Sequence, residues 1–374
     1  MALRRTVRRI GALLAKCRAD GVSAVAGQLR DRFDKLDFVQ FGLRRAIAPL
    51  RVRHRCGPRS IAGGRSDPVV FCLVRNGMPW LAAFLAHHNA MGFRHFVVLD
   101  NGSDDGTLES LAAMQDVTVL TSAAPYSAYE NTLKRYLVDR FGRNRWCLFV
   151  DIDEQFDFPL SDQIGLASFI DYLEQNEYDA VITQMLDMFS DMALSRLQTT
   201  GIEDFGPLFP YYDVSDIRMT PYPFAAAGPI KMHWGGIRTR LFGTDNGLTK
   251  VSFFLNRKGL APFYQWHHVR SAAIADVSAV LLHYPFNESF QSKVEDAIAT
   301  GRYGYRTTDE YRAYGERVAV EDLAISSAAR REYTSAAGLL ESNFLVASER
   351  YRAFVQSRAG DAGEGKANAE GGAA

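Results

Sequence analysis

Trp146-Cys147-Leu148-Phe149-Val150-Asp151-Ile152-Asp153 is the stretch whose reading decides the fold. Its first five residues, aromatic and branched, form a continuous apolar run that predicts a buried strand. Two carboxylates at i and i+2 then leave the C-terminal end of that strand. Converging carboxylates repel unless a proton or a cation lies between them. A hard divalent ion, Mn²⁺ or Mg²⁺, suits such a pair and keeps positions open for phosphate oxygens. That is the chemistry of handling a nucleotide diphosphate. The same pair also occurs as solvated loop residues, so its meaning depends on what surrounds it.

Working backwards, strands and helices alternate. Val69 to Val74 is an apolar run, and Pro79 suits the first turn of a helix. Trp80, Leu81, Phe84, Leu85 and His88 recur at helical spacing. His95 to Leu99 predicts a second strand ending at Asp100, followed by the turn Asn101 to Thr107 as a cap for the next helix. Val117 to Leu120 and Tyr126 to Phe141 add a strand and a helix before residue 146. This order predicts an α/β fold, a Rossmann-like, mostly parallel sheet with helices on both faces. Ligands of such sheets bind beyond the carboxyl ends of the strands. Arg75-Asn76, Asp100 to Asp105, and Asp151 to Glu154 all lie at such ends.

Working forwards, Ser168 to Asn176 predicts a helix and Ala180 to Gln184 a strand. Residues 186–247 are rich in aromatic, Pro and Gly residues and show little periodicity, as binding loops do. Ser289 to Thr300 predicts a helix, with more from about Thr308 to Ser357. The expected division is a basic N-terminal arm and linker at 1–65, a catalytic domain at 66–300, a helical C-terminal extension at 301–358 and a disordered tail at 359–374.

Composition narrows the class. The chain of 374 residues has zero formal net charge and a 47% hydrophobic content, enough for a sizeable core. Charge is unevenly spread: residues 1–65 hold 16 Lys/Arg against 4 Asp/Glu. Val7, Ile10, Leu13 and Leu14 recur at helical spacing among Arg4, Arg5, Arg8, Arg9 and Lys16, which suits either a solvated arm or docking on an anionic membrane surface. Sparse aromatics and the lack of a known module speak against nucleic acid. No apolar run approaches the ~18 residues of a membrane span, and Ile10 to Ala15 is short for a secretory signal. Cys17, Cys56, Cys72 and Cys147 have no C-x-x-C spacing, so reduced thiols are expected. The expected location is cytoplasmic, or peripheral on the inner membrane.

Val74-Arg75-Asn76, Leu85-Ala86-His87-His88 with Met91-Gly92-Phe93, Asp100-Asn101-Gly102-Ser103-Asp104-Asp105-Gly106-Thr107 and Asp151-Ile152-Asp153-Glu154 together resemble the family-2-like glycosyltransferases of bacteria, over about residues 68–300. Gly77 departs from the pattern, since many relatives carry an acidic residue after the Asn. The resemblance implies the GT-A fold and a metal-dependent, inverting transfer from a nucleotide-diphosphate sugar, UDP-sugar favoured. It further implies a glycan or glycolipid acceptor and a role in surface polysaccharide or glycolipid synthesis.

The resemblance also implies residue roles. Asp151 and Asp153 match the metal-binding pair, with Glu154 orienting a ligand or exposed. Asp100, with Asp104 in the same turn, matches the carboxylate that meets the nucleobase or ribose; a turn-capping role is the alternative. Arg75 and Asn76 match residues below the nucleotide, or are a polar strand end. His283, at the end of Val280 to Leu282, matches a third metal ligand or is a structural hydrogen-bonder, and His267-His268 is a second candidate. Arg238 and Lys250, near Trp234-Gly235-Gly236, are cations suited to a departing diphosphate, or flank a hinge. Asp187 and Asp191 are the candidates for the general base an inverting reaction needs. Aromatics in 205–224 and Trp266 suit a sugar platform or the core. The competing class is a non-catalytic nucleotide-sugar- or glycan-binding scaffold docked on a membrane by the arm. A sugar nucleotidyltransferase fits less well, because Arg75-Asn76-Gly77-Met78 is not a Gly-rich phosphate loop.

Overall fold

The computed structural model describes residues 44–223, 229–264, 268–270, 272–303, 305–319 and 322–370. It divides into two compact units, residues 1–50 and 51–374. In the first unit the described residues, 44–50, are helical. The amphipathic basic segment between Arg4 and Lys16, and the membrane-docking expectation attached to it, lie outside the described residues.

The second unit is mixed α/β. Its first half follows the expected alternation: β1 (Arg53–Cys56), β2 (Val69–Val74), α1 (Met78–Met91), β3 (His95–Asp100), α2 (Thr107–Ala112), β4 (Val117–Thr121), α3 (Tyr126–Phe141) and β5 (Trp146–Phe149). Then come β6 (Glu154–Asp157), α4 (Leu166–Gln175) and β7 (Ala180–Asp187). The aperiodic stretch holds short pieces: β8 (Tyr211–Tyr212), β9 (Ile217–Pro221), β10 (Lys231–Gly235) and α5 (Ile237–Phe242). The chain closes with β11 (Thr249–Leu255), β12 (Ala261–Tyr264), β13 (His268–Arg270), β14 (Ala279–His283), α6 (Phe290–Thr300), α7 (Tyr305–Val318), β15 (Arg331–Glu332), α8 (Gly338–Glu341) and α9 (Glu349–Glu370).

Nine strands form one sheet in the order β1-β4-β3-β2-β5-β11-β7-β14-β6. The strands β2, β3, β4, β5, β7 and β14 run one way, so the sheet is mostly parallel. β1, β11 and β6 run against them. Three features depart from the sequence expectation. α9 runs to Glu370, through most of the stretch expected to be a disordered tail. Arg53–Cys56, read as part of a linker, pairs with β4 and extends the sheet edge. β11 inserts antiparallel between β5 and β7, and this joins the regular N-terminal half of the sheet to the C-terminal half.

Strand alternation distributes the core to both faces. Val70, Cys72, Val74, Val98, Leu148 and Val150 face one side, under α1, α4 and α9 through Phe84, Phe169 and Tyr351. Phe71, Leu73, Val97, Leu99, Cys147 and Phe149 face the other, under α3 through Leu133, Leu137 and Phe141. A third cluster packs Val280 and Leu282 of β14 against Phe290 and Val294 of α6. The thiols of Cys56, Cys72 and Cys147 are unpaired.

α1 starts with Pro79 in its first turn and ends at Gly92, whose φ of 107° is left-handed. The turn before α2 differs from a simple cap. The N-cap is Gly106, with no side-chain bond, and Asp105 instead accepts from the Thr107 N–H at 3.0 Å.

His88, on the buried face of α1, sits between the rings of Phe84 and Phe93. Its Nδ1 meets the Phe84 carbonyl at 2.7 Å, and its Nε2 accepts from the Phe156 N–H at 3.3 Å. One nitrogen donates and the other accepts, so the ring is held neutral. Burial first, then His87, pushes its pKa from 6.5 down to about 3. The unfolded chain therefore takes up a proton below pH 6.5 that the fold refuses, and stability falls as pH drops towards 3. We expect His88→Gln to flatten unfolding free energy against pH in that window, by up to about 1.4 kcal/mol per pH unit. Urea titrations of both proteins across the window test this; parallel curves would refute it.

Candidate active site

Strand register assembles the charged residues at one edge. His283 of β14 pairs with Asp187 of parallel β7 on one side and with Glu154 of antiparallel β6 on the other. β11 pairs with β5 through Phe253 and Leu148, and a bulge between Lys250 and Phe253 then carries Lys250 past the end of β5, where its side chain meets Asp151. A one-residue slip would turn every one of these side chains to the other face.

The ion pairs follow from this placement. Lys250 Nζ donates to Asp151 Oδ2 at 2.8 Å and to Glu154 Oε1 at 2.5 Å. The Asp151 N–H donates to Glu154 Oε2 at 3.0 Å, so Glu154 orients the start of the acidic turn. Lys293, from α6, donates to Asp153 Oδ2 at 2.9 Å and lies 5.0 Å over the Trp80 ring. His283 Nε2 is 3.6 Å from the same oxygen, and its Nδ1 is 2.6 Å from Asp187 Oδ1. Arg238 Nε donates to Asp187 Oδ2 at 2.8 Å, and its Nη1 is 3.5 Å from Glu310.

These contacts set the protonation states. Burial pushes the Asp153 carboxyl up, but Lys293 and His283 outweigh it and hold it well below the usual range. Burial likewise raises Asp151, and Lys250 with Lys134 overcomes it. Burial opposes the His283 proton, yet Asp153 and Asp187 lift its pKa to about 9. Glu154 goes the other way: burial pushes it up, and Lys250 only partly offsets that.

The donor set fits a divalent cation in one place. Asp153 Oδ2 and His283 Nε2, 3.6 Å apart, span a distance that two ligands about 2.1 Å from one ion can share. The bond from His283 Nδ1 to Asp187 is the carboxylate contact that orients a metal-ligating imidazole. Among the described residues no group of three or more His, Cys, Asp and Glu side chains is arranged to hold a metal by itself. Two protein ligands would leave most positions of such an ion to other oxygen donors.

The other sequence candidates divide. Asn76, at a left-handed φ of 57°, exchanges two bonds with Asp104: Nδ2 to Oδ1 at 2.8 Å, and the Asp104 N–H to Asn76 Oδ1 at 3.0 Å. Asp100 is buried and accepts from the Gly102 and Ser103 N–H groups. The Asn76–Asp104 pair ties the loops after β2 and β3 together, and Asp100 closes the turn within its own loop. A side chain at Gly77 would stand 2.6 Å from Val74 and 3.1 Å from Ile152, so this loop packs directly on the acidic turn. Arg75 reaches instead toward Asp296 of α6, at 4.0 Å.

Asp187 does not suit the general base expected of it. Both its oxygens are bound, and although burial pushes its carboxyl up, Arg238 and His283 hold it below the usual range. Asp191 is not brought into the cluster; it is largely exposed and 3.3 Å from Arg330. His267 and Trp266 lie outside the described residues, as does the side chain of His268. Gly235 serves chain packing, since a Cβ there would meet the Asp216 carbonyl at 2.6 Å. Phe205 and Phe209 are core residues against Tyr284.

Several residues of the site carry no sequence motif. Lys293 sits mid-helix. Lys134 of α3 is buried, bonded to Glu130 at 2.8 Å, and with Phe149, Asp151, Glu154 and Lys250 lines a small cleft. Tyr303 stacks on Tyr311 at 5.1 Å and meets Tyr126 edge-on at 5.5 Å, making an aromatic rim near the carboxylates. The one available signal was a lysine on the apolar face of α3, four residues after a glutamate.

No protein-family model matches the chain. It is similar to a glycosyltransferase family 92 protein of Arabidopsis thaliana, 23% identical over 244 residues. That stretch is 64% of this chain and 39% of the Arabidopsis protein's length. The relative belongs to family 92, whereas the motifs resemble bacterial family 2; the two agree at the level of a glycosyltransferase.

Lys250 neutralises two carboxylates, one of them fully buried. We expect Lys250→Met to cost about 3–5 kcal/mol, the usual loss when a buried charge is left unpaired. Adding Glu154→Gln should recover roughly half of that, because it removes the stranded charge. Denaturant unfolding of the single and double variants measures it. Additive losses would show that the lysine acts through packing alone.

Proposed function

We propose that this protein is a metal-dependent glycosyltransferase that moves a sugar from a nucleotide-diphosphate donor to an acceptor hydroxyl. The observation that carries the reading is the Asp153–His283–Asp187 chain at the carboxyl ends of the sheet. The similarity to a plant glycosyltransferase supports sugar transfer as the reaction class. A UDP-sugar donor, a glycan or glycolipid acceptor, inversion, and a role in surface polysaccharide or glycolipid synthesis rest on the motif resemblance alone.

In this reading Asp153 and His283 hold Mn²⁺ or Mg²⁺, with Asp151 beside them. When bound, the ion supplies Lewis-acid stabilisation to the diphosphate leaving group. The chain's own residues do the rest. Asp187 fixes the His283 ring so that Nε2 points to the ligand position, and Arg238 holds Asp187 in turn. Asp187 is thus a positioning residue. Lys250 and Lys293 pair with the carboxylates and lie within reach of a diphosphate, where their charge favours departure. The stacked Tyr303 and Tyr311, with Tyr126, offer flat apolar surface for the base or the sugar.

The test is binding and turnover together. A saturating nucleoside diphosphate with Mn²⁺, at about 100 times its Kd, should stabilise the fold by roughly 2.7 kcal/mol. EDTA should remove that shift and abolish donor hydrolysis. Asp153→Asn and His283→Gln should lose the Mn²⁺-dependent part while still folding. A full shift in EDTA would sink the metal, and no shift with any of UDP, GDP, CDP or dTDP would sink the donor.

A further inference from the structure

Arg75 follows β2, in the loop that packs against Ile152 of the acidic turn. Arg302 follows α6. Both guanidinium groups approach one carboxylate, Asp296: Arg75 Nη2 at 4.0 Å from Oδ1, and Arg302 Nη1 at 3.4 Å from Oδ2. Two cations thus share a single acid, Arg302 through a long hydrogen bond and Arg75 at the limit of ion-pair range, and one positive charge is left over. The Nε atoms of both arginines are shielded from solvent and meet no hydrogen-bond acceptor. A buried donor without a partner is costly, and native folds keep few. Two of them, on cations flanking the same carboxylate, call for a missing acceptor.

Its position says what that acceptor serves. Lys293 lies one helical turn before Asp296 on α6, on the same face, and is bonded to Asp153. Tyr303, next to Arg302, meets Tyr126 and Tyr311 at the rim of the carboxylate cluster. The arginine pair is therefore continuous with the candidate active site, on its α6 side.

We propose that Arg75 and Arg302 form an anion subsite that binds phosphate oxygens of a nucleoside diphosphate, with Asp296 holding the two guanidinium groups apart when the subsite is empty. Planar guanidinium donors match tetrahedral phosphate oxygens in a way a lone carboxylate at 4.0 Å does not. The identity of the ligand rests on the donor reading; the subsite itself rests on the unpartnered arginines. The competing account is a structural tie that fastens α6 to the end of β2.

Calorimetric titration of the full chain separates them, with UDP, UMP and uridine in Mn²⁺ and with inorganic pyrophosphate in metal-free buffer. Arg302→Gln and Arg75→Gln should each weaken UDP and pyrophosphate about tenfold or more and leave uridine unchanged. Arg302→Lys should retain part of the affinity. Asp296→Asn should strengthen pyrophosphate and UDP, because it removes the carboxylate that competes for the arginines. A mere tie predicts no gain from Asp296→Asn, and this variant carries the test if an arginine variant misfolds. Wild-type affinities in the arginine variants, or no gain in Asp296→Asn, would overturn the subsite while UDP binding left the donor reading standing. Arginine-dependent pyrophosphate binding without affinity for UDP, GDP, CDP or dTDP would keep the subsite and remove the nucleotide. If the wild type bound neither pyrophosphate nor any nucleotide, both would fall.

Discussion

Four carboxylates gathered at the strand ends, Asp151, Asp153, Glu154 and Asp187, impose the constraint on which the rest of this structure depends. Such a group is unstable unless each member is matched, because a buried carboxylate loses several kcal/mol of hydration. The chain matches them with Lys250, Lys293, His283 and Arg238. Asp151, Asp153 and Glu154 come from the turn and strand after β5. The cations come from β11, α5, β14 and α6, a hundred or so residues later. Charge matching therefore joins segments far apart in the sequence.

This explains the odd strand in the sheet. β11 runs antiparallel between β5 and β7, where a regular parallel succession would have put them side by side. Its residues Val251, Phe253 and Phe254 are buried in the core on both faces of the sheet. Only the antiparallel direction sends Lys250 out at the end of β5, toward Asp151 and Glu154. The neighbouring pair β7 and β14 is parallel for a related reason: its register sets Asp187 against His283. Hydrophobic burial supplies the stability, and the ion pairs fasten this one register.

Much of the first half was legible in the sequence, since each element there obeys one dominant rule. Val69 to Val74 is apolar throughout because parallel strands are covered on both faces, and Tyr126 to Phe141 repeats at helical spacing. The carboxylate pair was legible because it directly follows such a strand. β6 was hidden, its Glu-Gln-Phe-Asp sequence resembling a loop until its polar side chains find partners. The cations are partly hidden: Lys250 and Arg238 are legible as candidates, but Lys293 and Arg302 follow no local pattern and acquire meaning only when α6 meets the acidic turn. Asp187 and Asp191 looked equivalent four residues apart. They differ because Asp187 is the last residue of β7, in register with His283, whereas Asp191 lies beyond the strand. Sequence spacing cannot separate two acids whose difference is made by a strand a hundred residues away.

Exposure sorts the network into a fixed part and an exchangeable part. The side chains of Glu154, Asp187 and Arg238 are 1%, 3% and 9% exposed, so their contacts are shielded from salt and water and hold geometry. Asp151, Lys293, Arg75 and Asp296 are 36%, 28%, 29% and 42% exposed, and each faces solvent on one side. An ion pair of the second kind contributes little to stability and is easily traded for another partner. A charged ligand entering from that side can take over their contacts without disturbing the inner set. A ligand bound as proposed would trade contacts with the outer ring, while Asp187 and Arg238 keep the His283 ring fixed.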